Sequence, residues 1–346
     1  MGLFGYRERR VKATTVVFDG KTFGASPDRR GPVGGGKGYR GYPRPTHAVD
    51  SLDSLLAALK SSHTGDIIFI PGSCTVECTE RVYIEEMVLE IPAGVTLMSD
   101  RGKARSKGAL LTSGSLQTRP LIRALGSGVR VTGIRIAGPN PRRSLEHHHR
   151  SFAEGRGHDY YYGFPVSSGI QTEHPNLMVD NCELAGWSHS AVHLLRGSGH
   201  HIHHNLIHHN QYQGLGYGVC HDLATSLIER NLFNHNRHSI AGTGLPGCGY
   251  TARHNVEQGT SLSHCFDMHG GRDRKDGTNL AGSTMVFTNN TFWCPKPAIK
   301  IRGVSEEAVR VSGNWFYQGA KEKAVIQEGN VRFGKNAYGR HNPQSD

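Results

Sequence analysis

Three short stretches concentrate side chains able to move protons beside a cation. Tyr217-Gly218-Val219-Cys220-His221-Asp222 brings together a phenol, an imidazole and a carboxylate. Asn236-Arg237-His238-Ser239 adds a guanidinium and another imidazole. Phe266-Asp267-Met268-His269 spaces a carboxylate and an imidazole two residues apart, which on a strand puts them on one face. This inventory suits removal of a carbon-bound proton next to a carboxylate. His, Tyr or Lys takes the proton, and Arg or Lys offsets the charge that develops. It suits chemistry needing paired carboxyl groups less well, because Asp222 and Asp267 are the obvious pair and Glu173 is more distant.

The chain that must hold these groups has 346 residues, 40 Lys plus Arg against 29 Asp plus Glu, 22 His and 45 Gly. The formal charge of +11 points to a polyanionic partner. No helix-turn-helix, zinc-finger or RNP string appears, so an acidic glycan ranks above nucleic acid. No apolar run approaches the roughly 18 residues that cross a bilayer, so no membrane partner is expected. The first twelve residues are charged and lack a leader's apolar centre. A secreted or periplasmic location is therefore expected only if a leader has been removed. The seven cysteines are scattered, although Cys74 and Cys78 could pair across a turn. His200, His201, His203, His204, His208 and His209 are dense without a zinc-site spacing, so no metal ligands or certain cofactor are assigned.

High Gly with modest hydrophobicity suits many short strands and turns. Residues 1–47 read as an irregular extension, and Gly31–Gly38 within them lacks the Ser or Thr that a phosphate loop places after Lys37. Leu52, Leu55, Leu56 and Leu59 predict a helix capped by Asp50 or Ser51. Short strands are expected at Gly65–Gly72, Val82–Ile84, Val88–Ile91, Val95–Met98, Leu121–Ala124 and Val129–Ile136. Farther on the chain repeats. Asn181, Asn205, Asn231, Asn255, Asn290 and Asn314 each separate two short apolar runs, at a recurring step that implies a solenoid. Stacked asparagines at such bends can form a hydrogen-bonded ladder.

The helix, the Gly65–Gly72 strand and the Asn-turn coils resemble the right-handed parallel β-helix of the pectate lyase-like superfamily. The resemblance implies an all-β solenoid over residues 48–346 with an N-terminal capping helix and a long loop insertion at 139–167. With Ile170, Val192, Leu215, Ile240, Phe266 and Ile299 taken as inward, the outward columns are Gln171, His193, Gly216, Ala241, Asp267 and Lys300, then Glu173, Leu195, Gly218, Thr243, His269 and Arg302. His193, Asp267, His269, Lys300 and Arg302 are thus expected to bind substrate, with Arg150 and Tyr161 reaching in from the insertion.

Mannuronan 5-epimerases resemble the first two stretches, with a Tyr-Gly-Phe-Asp-Pro-His string and a later Arg-His-Gly. Chondroitinase B-like lyases use a basic pair in the same groove. By this resemblance Tyr217 and His221 are acid/base candidates, and Arg237 and His238 neutralise a uronate carboxylate. The chain has one residue fewer between Tyr and His and lacks the Asp-Pro. The implied activity is β-eliminative cleavage of a uronate-containing polysaccharide. Alternatives are 5-epimerisation, glycoside hydrolysis, or carbohydrate binding by a tailspike-like β-helix without catalysis.

Overall fold

The computed structural model describes residues 14–142 and 145–339. Its strands wind into a right-handed parallel β-helix with three sheet faces. A representative coil begins in Ser190–His203, turns at Asn205 and continues into Leu206–His208. The strands Ser190–His203 and Tyr217–Glu229 run unbroken around one corner, so two faces merge into one 18-stranded sheet, and the third face has 10 strands. Inside, side chains stack in register. Ile122, Ile170, Val192, Val219, Ile240, Phe266 and Ile299 form one continuous buried column. β-branched residues dominate it because their stiff side chains fit a pleated surface packed on one side.

The repeated asparagines form a ladder. Asn205 Nδ2 donates to Asn231 Oδ1 at 2.9 Å, Asn231 to Asn255 at 3.0 Å, Asn255 to Asn290 at 3.1 Å and Asn290 to Asn314 at 3.0 Å. Asn336 extends it. Asn181 lies outside it. Asn181 occupies the left-handed bend (φ 53) filled in later coils by His204, Arg230 and His254, and Cys182 stands at the ladder position. The ladder side chain and the left-handed backbone therefore belong to consecutive residues, not to one asparagine.

Near the N-terminus, Leu52–Ser61 is the expected helix, capped by Ser51, and it buries Leu55 and Leu59 against the first coil. Val82–Ile84 is not a strand. Thr79–Glu85 is a helix that buries Val82 and leaves Tyr83 and Ile84 exposed. All seven cysteines are free, and Cys78 is buried in the core. Among the described residues no helix is long and apolar enough to cross a membrane.

The segment before the helix is more ordered than expected. After a hairpin of Thr15–Phe18 and Lys21–Gly24, it runs along the ladder edge as a strap. Gly24 N–H bonds Gly313 O (2.8 Å), Gly34 N–H bonds Arg230 O (2.9 Å), Gly36 N–H bonds Asn181 Oδ1 (2.8 Å), and Tyr42 reaches Arg101 O. At Gly35 a Cβ would fall 2.3 Å from His204 O, so the glycine run is a requirement of close approach.

Candidate functional site

One face carries the polar columns. In register along it stand Arg123, Gln171, His193, Cys220 and Ala241, then Asp267, Lys300 and Ile326. Three hollows follow this face. The first, about 320 Å³, is lined by residues including Arg123, Gln171 and Glu173. The second, about 140 Å³, is lined by His189, Tyr217, Cys220, Asp222, Thr243 and His269 among others. The third, about 190 Å³, is lined by Asp273, Lys300, Arg302 and Glu328 among others. A larger hollow of about 610 Å³ lies across His200, His201, Ser226 and Arg253, off this row. Its histidines are committed: His200 bonds Arg196 O at 2.9 Å, and His201 bonds Glu229 at 2.9 Å.

Beside the central hollow, Asp267 is a fully buried hub. Its Oδ1 lies 2.8 Å from His264 Nε2 and 3.1 Å from Arg302 Nε. Its Oδ2 lies 2.8 Å from an Arg302 terminal nitrogen, 2.9 Å from His269 Nε2 and 3.9 Å from His238 Nε2. Burial opposes ionisation, but His264, His269 and His238 outweigh it and hold the carboxyl well below its usual range. Burial, helped by His264 and Arg237 against the pull of Asp267, holds His238 well below the usual imidazole range. The Tyr217 ring stacks on His238, centroids 5.9 Å apart and nearly parallel. Burial, with the Cys220 thiol nearby, pushes the Tyr217 phenol up, so it keeps its proton at neutral pH. Arg237 Nε is buried without a hydrogen-bond partner. One terminal nitrogen of Arg237 reaches only Leu215 O, at 3.5 Å. Across the hollow, His193 Nε2 meets Asp222 Oδ2 at 3.1 Å, and its ring contacts that of His189. Burial and His193 drop His189 to about 3.

Tyr217, Arg237, His238, His193, Asp267, His269, Lys300 and Arg302 therefore gather on one face. Within the group, Asp267 and Arg302 engage each other. His221 is corrected. It is fully buried on the inward side of its strand, paired in register with the core residue Leu194. Its Nδ1–H donates to Ala241 O (3.0 Å), its Nε2 accepts from Ser226 Oγ (2.7 Å), and its ring stacks on Tyr250. It has no free nitrogen for substrate.

The columns are corrected at the same coil. Val219, not Leu215, is the inward residue, so Cys220 and Asp222 replace Gly216 and Gly218. Gly214 and Gly216 have φ of 89° and 77°, which no strand continues through.

The insertion forms two short helices, Glu146–Phe152 and His158–Tyr162. Arg150 is engaged on its own helix by Glu146 (2.5 Å), and Tyr161 is buried against Tyr212, rings 4.7 Å apart. Neither extends into the hollows as expected. Sequence reasoning missed His264 and His189. His264 lies three residues before Asp267, at the corner preceding its strand, where strand alternation gives no signal.

Residues 168–337 match the family described as right handed beta helix region. No curated protein matches the chain in sequence. Among solved structures, an alginate lyase from Paenibacillus sp. str. FPU-7 is similar at 15% identity and a TM-score of 0.56, covering 85% of this chain and 95% of that one. A Yersinia enterocolitica family 28 exopolygalacturonase (13% identity, TM-score 0.44) covers 83% of this chain and 62% of its own. The A-module of the Azotobacter vinelandii mannuronan C-5 epimerase AlgE6 (11%, TM-score 0.41) covers 84% and 92%. The family match and the likeness to the alginate lyase support the fold described above.

Proposed function

We propose that this β-helix is a polysaccharide lyase that binds a uronate-containing glycan along the row of hollows and cleaves it by β-elimination. The observation that carries the reading is the row itself: three hollows on one face, with a neutral phenol and a carboxylate-backed imidazole lining the central one, and the under-used guanidinium of Arg237 against its wall residue Leu215. The alginate lyase with the same fold agrees with a polymeric acidic substrate.

Roles follow from the contacts. Arg237 offsets the uronate carboxylate, which lowers the cost of a carbanion at carbon 5. His269 is the base. Its Nε2 lies 2.9 Å from Asp267 Oδ2 and its ring lines the hollow, which sets an imidazole beside a carboxylate at the place where a base is needed. The proton moves from carbon 5 to His269, the electron pair forms the carbon 4–carbon 5 double bond, and the bond from carbon 4 to the glycosidic oxygen breaks. Tyr217, still protonated, supplies the proton that the departing oxygen needs. His238 positions Tyr217 by stacking. Hydrolysis fits less well, because it requires a carboxylic acid that keeps its proton beside the bond. Asp267 is held ionised, and the carboxyl that burial does keep protonated, Glu257, lies inside the coil between Phe233 and Phe292.

Incubation with alginate, pectate, hyaluronan and chondroitin tests this. Rising ultraviolet absorbance from the unsaturated product is expected with one of them, and it should vanish in Arg237→Ala. New reducing ends without absorbance would mean hydrolysis. An altered polymer proton spectrum without cleavage would mean epimerisation. Either result overturns the reading.

A further inference from the structure

Beside Tyr217 lies an atom whose surroundings do not balance. His238 is fully buried, and its Nδ1 lies 2.7 Å from the backbone oxygen of His264. A carbonyl only accepts, so the proton is on Nδ1, and in the neutral ring Nε2 carries a bare lone pair. No donor reaches that nitrogen. The carboxylate oxygen facing it, Asp267 Oδ2 at 3.9 Å, also carries only lone pairs. Asp267 Oδ2 is satisfied by Arg302 at 2.8 Å, but His238 Nε2 is left without a partner in a buried space, which costs stability unless something electron-poor meets its lone pair. The third wall is His264, whose Nε2 lies 2.8 Å from the same carboxylate and whose Nδ1 has Ser263 Oγ at 3.3 Å.

We propose that His238, His264 and Asp267 form a binding site for a divalent transition-metal ion of the zinc class. The ligating atoms of the three residues lie within 4.8 Å of one another. Ligands at about 2.0–2.2 Å from a tetrahedral ion stand about 3.3 Å apart; here one carboxylate oxygen of Asp267 lies 2.8 Å from His264 Nε2 and the other 3.9 Å from His238 Nε2. Two imidazoles and one carboxylate favour zinc-like ions over calcium or magnesium, which want oxygen. His238 has its Nδ1–H tied to a carbonyl, the support that fixes a ligating histidine's tautomer and leaves Nε2 for the metal; His264 donates from Nε2 to Asp267, and its Nδ1 has the Ser263 hydroxyl to accept its proton once Nε2 ligates. Arg302 and His269 on the same carboxylate are then the outer partners that orient it. The ion would sit behind Tyr217, deepening the positive field at the central hollow. The three ligands come from two coils, at 238, 264 and 267, which is why no short sequence spacing announces the site.

The test needs no substrate, so its outcome is separate from that of the lyase reading. The full chain, stripped with a chelator, is titrated with Co²⁺ alone. One equivalent should bind, with the intense visible bands of a four-coordinate nitrogen-ligated ion, and Zn²⁺ should displace it and raise Tm. His238→Gln and His264→Gln should each weaken binding by at least about 100-fold. If His238→Gln does not fold, His264→Gln at the edge of the site gives the same reading. Binding well below one equivalent, weak six-coordinate bands, or affinity unchanged in the folded variants would overturn the proposal. The last result would assign the metal to surface histidines.

Discussion

Of the acidic side chains buried on this solenoid, Glu229 and Asp267 have partners that differ in kind. Glu229, beside the strap, is ringed by permanent cations: Arg30 at 2.5 Å, Arg230 at 2.5 Å and Arg253 at 2.9 Å, with His201 at 2.9 Å. Asp267, on the groove face, has one arginine and three imidazoles. Both acids are held below their usual range despite burial. A guanidinium does not give up its proton, so the three arginines around Glu229 hold geometry, and what Arg30 holds is the strap against the coils. An imidazole can lose, gain or share a proton, or ligate a metal, so the Asp267 cluster can do chemistry. Equal burial therefore marks a lock in one place and a site in the other.

Acid pH gives the largest expected effect, and it sets buried imidazoles against both buried acids. Burial drops His189 and His203 to about 3 and His221 to about 4. The unfolded chain takes up protons on these rings near pH 6.5, whereas the native state resists until far lower. Stability is therefore complete above about 6.5 and falls as pH drops toward 4. Asp267 and Glu229 have the opposite timing. Their depressed values preserve their contribution through this window and lose it only at lower pH. Tm followed from pH 8 to 4 should begin to fall near 6.5. An onset near 4.5 would mean that the carboxylates, and not the buried imidazoles, govern acid stability.

Next in size is His269→Ala. Removing a general base costs about 10²- to 10⁴-fold in kcat, with Tm nearly unchanged because the side chain is partly exposed. Glu229→Gln should do the reverse. It leaves three guanidinium groups around a neutral amide and should cost about 2–3 kcal/mol, less than the 3–5 kcal/mol of a fully buried pair because Arg253 is half in solvent. Denaturant unfolding and steady-state kinetics on both variants give the comparison directly. Equal kinetic losses would dissolve the distinction between lock and site.

The solenoid was legible because its determinants repeat. An asparagine between two apolar runs recurs from Asn205 to Asn314, and the register of Ile170, Val192, Ile240, Phe266 and Ile299 follows from alternation. Alternation fails where the chain leaves strand geometry without changing composition. Leu215-Gly216-Tyr217-Gly218-Val219 alternates well enough to be read as one strand, yet the left-handed Gly216 delays the strand to Tyr217. That shift of four residues replaced Gly216 and Gly218 with Cys220 and Asp222 in the groove columns; His221, inward by alternation in either register, had entered the site through the resemblance alone. The strap was illegible for a different reason. Its glycines answer to residues such as His204 that are distant in sequence, and no local pattern records such an approach.

The smallest expected effect concerns the insertion, which charge and aromatic content had suggested as a binding element. Arg150 is paired with Glu146 one helical turn away at an exposed position, an arrangement worth about 0.3–0.5 kcal/mol. Arg150→Ala should leave KM, kcat and Tm within error. Tyr161→Ala removes a buried ring stacked on Tyr212 and should cost about 3 kcal/mol, as aromatic truncations in cores do. Because Tyr212 lies in the loop leading to Tyr217, this loss should appear first as stability and only secondarily as turnover. A rise in KM with Arg150→Ala at unchanged Tm would show instead that the insertion swings onto the substrate, placing a third cationic region beside the two compared above.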